Sequence, residues 1–300
     1  MSRQPFPERA YVSHSSMVTY RNCELKWAYE YVHGYGRRHT TASRAIGSMW
    51  ADLLESGNDW ADKWDSLRAR ARALYNIYIY NNNKDNNTIY NYNPYNIEEV
   101  VQLIDQINIL YVMIKIYREL YPIENIREYS FSIPIYNNIY YKGIMDGITD
   151  TSIIEDKYLS TMSWNNARKR SLVLDNQINS YLWAASKLGL PDTLDYRVTL
   201  KPTIKQRRSR SVETEEQFIE RVESVVRDRV DTYFQVTPVY RSESDLDKWL
   251  ANAEASIKKM LDSVDDNVFV PNTSRCHDYG GCDFLDLCTT GGMDKYYRMW

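Results

Sequence analysis

Near the middle of the chain, "GIMDGITDTSIIEDK" sets two acidic residues and a lysine on adjacent β-like runs. If Asp150–Thr151 is a two-residue turn, Ile148 falls opposite Ile153 and Asp146 opposite Glu155. The two carboxylates then stand with Cβ atoms about 5 Å apart. Lys157, two residues on, emerges from the same face as Glu155. Like charges directly opposite destabilise a strand pair. A divalent cation between them removes that cost, and carboxylate oxygens suit Mg²⁺ or Mn²⁺. A lysine beside such a cation can position an attacking water or stabilise charge growing on a phosphate. That is a minimal apparatus for metal-dependent phosphodiester hydrolysis. The plainer alternative is an exposed hairpin edge with scattered charges.

A second group of reactive side chains lies near the end, in "CHDYGGCDFLDLC". Cys276, Cys282 and Cys288 fall at equal spacing, and the remaining cysteine of the chain is Cys23. A tetrahedral metal or an iron–sulfur cube takes four thiolates, so Cys23 would have to fold back onto the other three. No charged-then-apolar signal pattern appears in the N-terminal residues, and four cysteines in a reducing compartment read as metal ligands rather than disulfides. Gly280 and Gly281 permit a tight bend between the first two clustered cysteines. Such a centre would clip the C-terminal segment onto the N-terminal helix.

"GIMDG", "IIEDK", "QINSY" and one distant plus three clustered cysteines, in this order, resemble the PD-(D/E)xK nuclease superfamily. Within it they are similar to the RecB-like branch that carries an iron–sulfur cluster, a phage or bacterial exonuclease type. The resemblance spans roughly residues 13–290. It implies Asp146, Glu155 and Lys157 as catalytic residues, with Asp146, Glu155 and the backbone carbonyl of Asp156 as ligands of Mg²⁺ or Mn²⁺. It implies a 4Fe-4S cluster on Cys23, Cys276, Cys282 and Cys288, where four thiolates alone would equally suit zinc. Relatives often separate the first two clustered cysteines by two residues; here there are five. Gln177 and Tyr181 match the family's Gln-x-x-x-Tyr signature. Four apart on a helix, they share a face and could bind a phosphate, sugar or base.

The resemblance also exposes a departure. Relatives follow a glycine in the second helix with a metal-binding His, and the matching stretch "AIGSMWADLLE" has Ala51 there, or Trp50 in a shifted register. Asp52 and Glu55 lie nearby, and Glu55 could supply a replacement carboxylate; solvated helix charges are the plainer reading. Two functions follow. One is a metal-dependent deoxyribonuclease, directed at single strands or ends in DNA processing or recombination. The other is a weakened or inactive DNA-binding or assembly factor that keeps the fold and cluster. DNA is the implied partner, with a helicase or recombination protein beside it.

The elements that must position these residues are legible in outline. The 300 residues are 43% hydrophobic with a net charge of −3, so no global basic signature exists and any nucleic-acid contact must come from a local groove. No run of 18 apolar residues appears, which predicts a cytoplasmic protein without membrane contact. Helical periodicity covers 13–33, 42–55, 59–73, 97–120, 171–188, 213–231 and 243–263, with Ser13, Ser15 or Ser16 as the first cap. Residues 128–160 alternate as three strands turning at 136–138 and 150–151, and 195–204 adds another. The expected fold is a single α/β domain over 1–300: a restriction-endonuclease-like core with a central mixed sheet flanked by helices. A mainly helical insertion is expected at 56–125, with an Asn/Tyr-rich loop at about 75–96 and a cysteine segment at 272–290. Basic residues gather in "NNARKRS", with Arg168, Lys169 and Arg170, and in "KPTIKQRRSRSVE", with Lys201, Lys205, Arg207, Arg208 and Arg210. Among these, Arg168, Lys169, Arg207 and Arg208 are candidate phosphate contacts, against a reading as solvated loops.

Overall fold

The structure is a computed structural model that describes every residue except 1–5, 8–9, 38–41, 84–96, 122–125, 210, 279–280, 294–295 and 299–300. In chain order, β1 (Tyr11–Val12) leads to α1 (His14–Asn22), α2 (Glu24–Trp27) and a π-helical turn at Ala28–Val32. Then come β2 (Tyr35–Arg37), α3 (Ala42–Glu55), α4 (Trp60–Asn83) and α5 (Ile97–Leu120). Three consecutive strands follow: β3 (Ile126–Tyr136), β4 (Ile139–Ile148) and β5 (Ile153–Ser160). The chain continues through α6 (Asn166–Ser171), α7 (Asn176–Leu188), β6 (Leu194–Lys201), α8 (Glu215–Arg227) and α9 (Val230–Tyr233). It ends with β7 (Phe234–Val239), α10 (Glu243–Asp265), α11 (Leu285–Thr290) and β8 (Tyr296–Arg298).

Six strands make one mixed sheet in the order β1-β4-β5-β6-β7, with β3 on the other edge of β4. β3 pairs with β4 along nearly its whole length, around a turn at Asn137, whose φ of 48° is left-handed. β5 and β6 run parallel over eight residues, and β7 closes the far edge antiparallel to β6. On one face of the sheet, α1, α7 and α10 pack around Trp27, Tyr141, Trp183 and Trp249. On the other, α3, α4, α5 and α8 enclose Leu53, Leu110, Met113 and Phe218. The helices of residues 56–125 therefore cover the sheet's second face, next to α3 and α8.

The strand β4 decides the site. Each strand has two edges, and β3 takes one of them throughout. On the other edge, β5 reaches only Gly147 and Ile148, whereas β1 pairs with Tyr140 and Tyr141. Between these short ladders the strands diverge, and residues 142–146 face a wedge with no strand in it.

Several expectations differ in detail. The helix expected over 13–33 breaks at Cys23, whose φ of −165° and ψ of 111° are extended. Ser13 is the cap, in a reciprocal box with Ser16. The Asn/Tyr-rich stretch begins as helix, since α4 runs to Asn83; the rest of that expected loop, 84–96, lies outside the described residues. The helix expected from 171 starts at Asn176, where Asp175 accepts the N–H groups of Gln177 and Ile178. β7 was not expected at all.

Candidate active site

The predicted turn register is present. Thr149 bonds Ser152, and Ile148 and Gly147 pair with Ile153 and Ile154. The next pair would be Asp146 with Glu155, and here the backbone ladder stops. In its place, the Asp146 carboxylate accepts the N–H of Asp156 at 2.8 Å. The side chain does the work of a strand carbonyl at the point where the wedge opens.

Glu155 is 1% exposed. Its Oε1 forms an ion pair with the Lys157 ammonium, and its Oε2 has no hydrogen-bond partner. Burial pushes the Glu155 carboxyl up against the pull of Lys157, and burial likewise raises Asp146 and Asp156. Burial works against the charge of Lys157, but the carboxylates of Glu155 and Asp146 outweigh it and hold the lysine above its usual range. The arrangement carries more buried negative charge than one ammonium offsets. Hard oxygen donors, buried and not fully partnered, fit Mg²⁺ or Mn²⁺.

The rest of the motif forms a relay into the wedge. Lys157 Nζ donates to Gln177 Oε1 at 3.3 Å, and Gln177 Nε2 donates to the Tyr181 hydroxyl at 3.0 Å. Tyr181 in turn donates to the carbonyl of Ile144, one of the β4 groups left without a strand partner. Tyr181 is 5% exposed and meets Phe131 edge-on with centroids 6.0 Å apart. Its ring is therefore packed largely inside the fold, although it borders the cleft beside β4. Gln177 and Tyr181 act here as positioning groups for Lys157 and β4.

Asp156 points the other way. Tyr117 donates to its Oδ1 at 2.7 Å and Arg127 to its Oδ2 at 3.2 Å, while Arg197 donates to the Tyr117 hydroxyl at 3.0 Å. These three residues were missed, because only the tertiary packing of α5, β3 and β6 brings them together. A cleft of about 340 Å³ opens there, lined by Ala51, Glu55, Glu128, Asp146, Asp156 and Lys157 among others. Ala51 thus faces the same cleft as Asp146. Glu55 does too, its carboxyl pushed up to about 7 by burial and by the adjoining Glu128 carboxyl. Glu128 sits opposite Asp146 in the β3–β4 register with a left-handed φ of 53°, an uncommon conformation for a residue with a side chain. Turn arithmetic from Asn137 would have put Tyr129 opposite Asp146 instead, because a register shift between Pro134 and Tyr136 moves the pairing by one residue.

The candidate phosphate contacts have other partners. Arg208 grips the buried Asp105 with both terminal nitrogens, at 3.1 and 2.5 Å. The Arg207 N–H donates to Glu213 at 2.9 Å, and Arg221 clamps Glu213 and the carbonyl of Lys205. The segment after β6 is thus tied to α5 and α8 through Arg208 and Glu213, while the side chains of Lys205, Arg207 and Arg208 remain exposed; Arg210 lies outside the described residues. Lys169 donates to Gln235 at 2.8 Å, and Arg168 is exposed beside it on α6. None of the four candidate residues lines the clefts beside Asp146.

The four cysteines share one cleft. Of about 770 Å³, it lies between the α1–α2 break and the C-terminal segment and is lined by Cys23, Cys276, Cys282 and Cys288. Asn272 holds the junction: its N–H donates to Cys23 Sγ at 3.4 Å and its amide to the carbonyl of Asn22 at 2.9 Å. Cys282 N–H closes the loop onto Cys276 at 2.8 Å, and Gly281 takes a φ of 113° there; Gly280 lies outside the described residues. Among the described residues, no three His, Cys, Asp or Glu side chains converge tightly enough to hold a single metal ion.

A model of the PD-(D/E)XK nuclease superfamily matches residues 11–289. In structure the chain is similar to a protein described as a putative exonuclease from Eubacterium rectale. The TM-score is 0.52 at 12% identity, over 93% of this chain and 91% of that one. At such low identity the likeness speaks for the fold, a mixed sheet flanked by helices. No curated protein matches the chain.

Proposed function

The chain belongs to the PD-(D/E)XK nuclease superfamily, and on that premise we propose that it hydrolyses DNA phosphodiester bonds with Mg²⁺ or Mn²⁺. The observation that carries the reading is Glu155: a fully buried carboxylate beside Asp146, with one oxygen paired to Lys157 and the other without a partner. Asp146, Glu155 and the Asp156 carbonyl would hold the cation. When bound, it supplies positive charge for the scissile phosphate and an acidified water. Lys157, held by Gln177, lies where it can orient that water and offset charge developing on the phosphate. Tyr181 keeps β4 at the separation that leaves Asp146 facing the wedge.

Titrating Mn²⁺ into the protein with labelled single-stranded DNA tests this. Asp146→Asn and Glu155→Gln should each abolish cleavage while the melting temperature holds. Undiminished cleavage in either variant refutes the assignment. A second reading, a DNA-binding factor with little activity, draws on Ala51, which faces the cleft where the family resemblance places a His. Absence of cleavage in the parent at saturating Mn²⁺ would favour it.

We further infer a RecB-like protein in which Cys23, Cys276, Cys282 and Cys288 ligate a 4Fe-4S cluster. Four soft donors lining one cleft support it. A cube is larger than one ion, so thiols spread around a roomy cleft suit it better than zinc.

A further inference from the structure

We propose that the exposed face of β4 is a track for single-stranded DNA, running from Asp146 toward Tyr140 and leading the strand into the site. The proposal rests on the nuclease reading above. Alternate residues of a strand share a face. From Asp146 that rule brings up Ile144, Lys142 and Tyr140 in turn. Ile144 is 50% exposed and Tyr140 42%, unusual for large apolar side chains on a sheet beside a core. Across the ladder, Ser130, Ser132 and Pro134 of β3 stand opposite Ile144, Lys142 and Tyr140, and none of them is bulky enough to cover the row. On the other side, β1 brings Tyr11 next to Tyr140, and the Lys142 ammonium lies 4.2 Å over the Tyr11 ring.

A cleft of about 470 Å³ runs beside this row, with His14, Ser15, Ser130, Lys142, Ile144 and Gln177 in its wall. No carboxylate is among the described residues that line it, although the whole chain is acidic. Its one cationic side chain is Lys142, while burial holds the His14 imidazole below its usual range and favours its neutral form. Gln177 in the wall accepts a hydrogen bond from Lys157, which places the cleft next to the proposed reaction centre. The charge suits a phosphodiester backbone. The exposed aliphatic and aromatic side chains suit base faces, which only an unpaired strand presents. From Asp146 to Lys142 the strand rises about 13–14 Å. At a stacked rise of about 3.4 Å per nucleotide that is about four nucleotides, and fewer if the strand is extended.

Anisotropy of a fluorescent oligothymidylate of about 12 nucleotides tests the track. The full chain is used in EDTA, so that nothing is cleaved. Tyr140→Ala should weaken binding about tenfold, the loss of one stacked base. Lys142→Ala should weaken it too, and should reduce the slope of log K against log salt by about 0.7. Both side chains are at the surface, so melting temperatures should hold; Tyr140→Ser and Lys142→Gln serve if either alanine variant is unstable. Unchanged affinity and salt slope in both positions would overturn the track. So would a concentration-dependent dimer that Tyr140→Ala dissolves, since a second copy would then cover the face. Either result leaves the nuclease reading standing if Asp146→Asn still abolishes cleavage, and retained cleavage in that variant would fail the nuclease reading by itself.

Discussion

Replacing Gly143 by Ala should damage both the fold and the site. Gly143 pairs with Phe131 across the β3–β4 ladder. A Cβ there would meet Phe131 Cζ at 2.5 Å, its Cε1 at 2.7 Å and Tyr181 Cε1 at 3.3 Å. Carbon atoms prefer about 3.5–4.0 Å, so the Phe131 ring must withdraw by about 1 Å. It has little room, being 6% exposed with Tyr141 stacked at 6.3 Å and Tyr181 edge-on at 6.0 Å. Overpacking of this kind costs about 1–3 kcal/mol. At about 2–4 °C per kcal/mol, the melting temperature should fall by about 2–12 °C. The ring can yield mainly toward Tyr181, whose hydroxyl bonds Ile144 and Gln177 and thereby fixes Lys157. A misplacement of about 1 Å in a reacting group can cost about a hundredfold. Cleavage of single-stranded DNA should therefore drop about ten- to a hundredfold in kcat, with a smaller change in KM. Phe131→Leu, which removes the offending edge, should restore part of both losses in the double variant. A Gly143→Ala protein that melts within about 1 °C of the parent and cleaves at the parental rate would refute the chain of contacts from Phe131 to Lys157.

Other outcomes follow from the same structure. Ala51→His should raise Mn²⁺ affinity and cleavage, because Ala51 faces the cleft that holds Asp146; isothermal titration showing unchanged metal binding would mean that another group fills the role. Protein purified anaerobically should be brown and contain iron and sulfide in equal amounts, and Cys23→Ala should bleach it and lower its melting temperature. Colourless parent protein with one zinc would replace the cluster, and an intact cluster in the variant would place the fourth ligand elsewhere. Glu215 receives hydrogen bonds from Arg68 and Asn108 and an ion pair from Arg72, and although burial opposes it, these partners hold its carboxyl down to about 2. A depressed carboxylate stabilises above its unfolded pKa of about 4.3 and loses that contribution as pH falls toward about 2. Glu215→Gln should thus cost about 1–2 kcal/mol at pH 7 after allowance for solvent screening, and little near pH 2. Urea unfolding at both values reads the difference, and a cost independent of pH would sink the linkage.

The sequence carried the chemistry of the site further than its geometry. Turn arithmetic placed Asp146 against Glu155 because a two-residue hairpin fixes register. It did not disclose that the ladder ends there, since divergence of β4 from β5 depends on β1 pairing lower down the same edge. The period of 13–33 reads as one helix, yet Cys23 is extended; Leu25 and Glu24 bond Val270 instead, a contact from the far end of the chain. β7 went unread, and Pro238 within it would argue against a strand anywhere but at an edge, where the missing donor is tolerated. The cluster of arginines after β6 looked like a phosphate grip. Its partner Asp105 is buried on α5, about a hundred residues away, and local pattern cannot show that a buried acid will claim a cation.

The wedge itself explains which variants can report on catalysis. Strands that diverge leave backbone groups without partners, and buried ones cost about 1–3 kcal/mol each. Two of those in the wedge are satisfied by side chains: Tyr181 donates to the Ile144 carbonyl, and Asp146 accepts from the Asp156 N–H. Asp146 therefore serves the fold as well as the proposed chemistry. Alanine there would orphan the Asp156 N–H and could loosen the hairpin, confounding lost activity with lost structure. Asparagine keeps an acceptor for that N–H and removes only the charge. Glu155 bonds no backbone group, since its one polar contact is the ion pair with Lys157 and its Oε2 accepts no hydrogen bond. Its burial raises the cost of its charge, and one ammonium offsets that cost only in part. A glutamine at 155 should accordingly be neutral or stabilising in the metal-free protein, while abolishing cation binding. A fold gains nothing from a buried charge of this kind, and a cation site does.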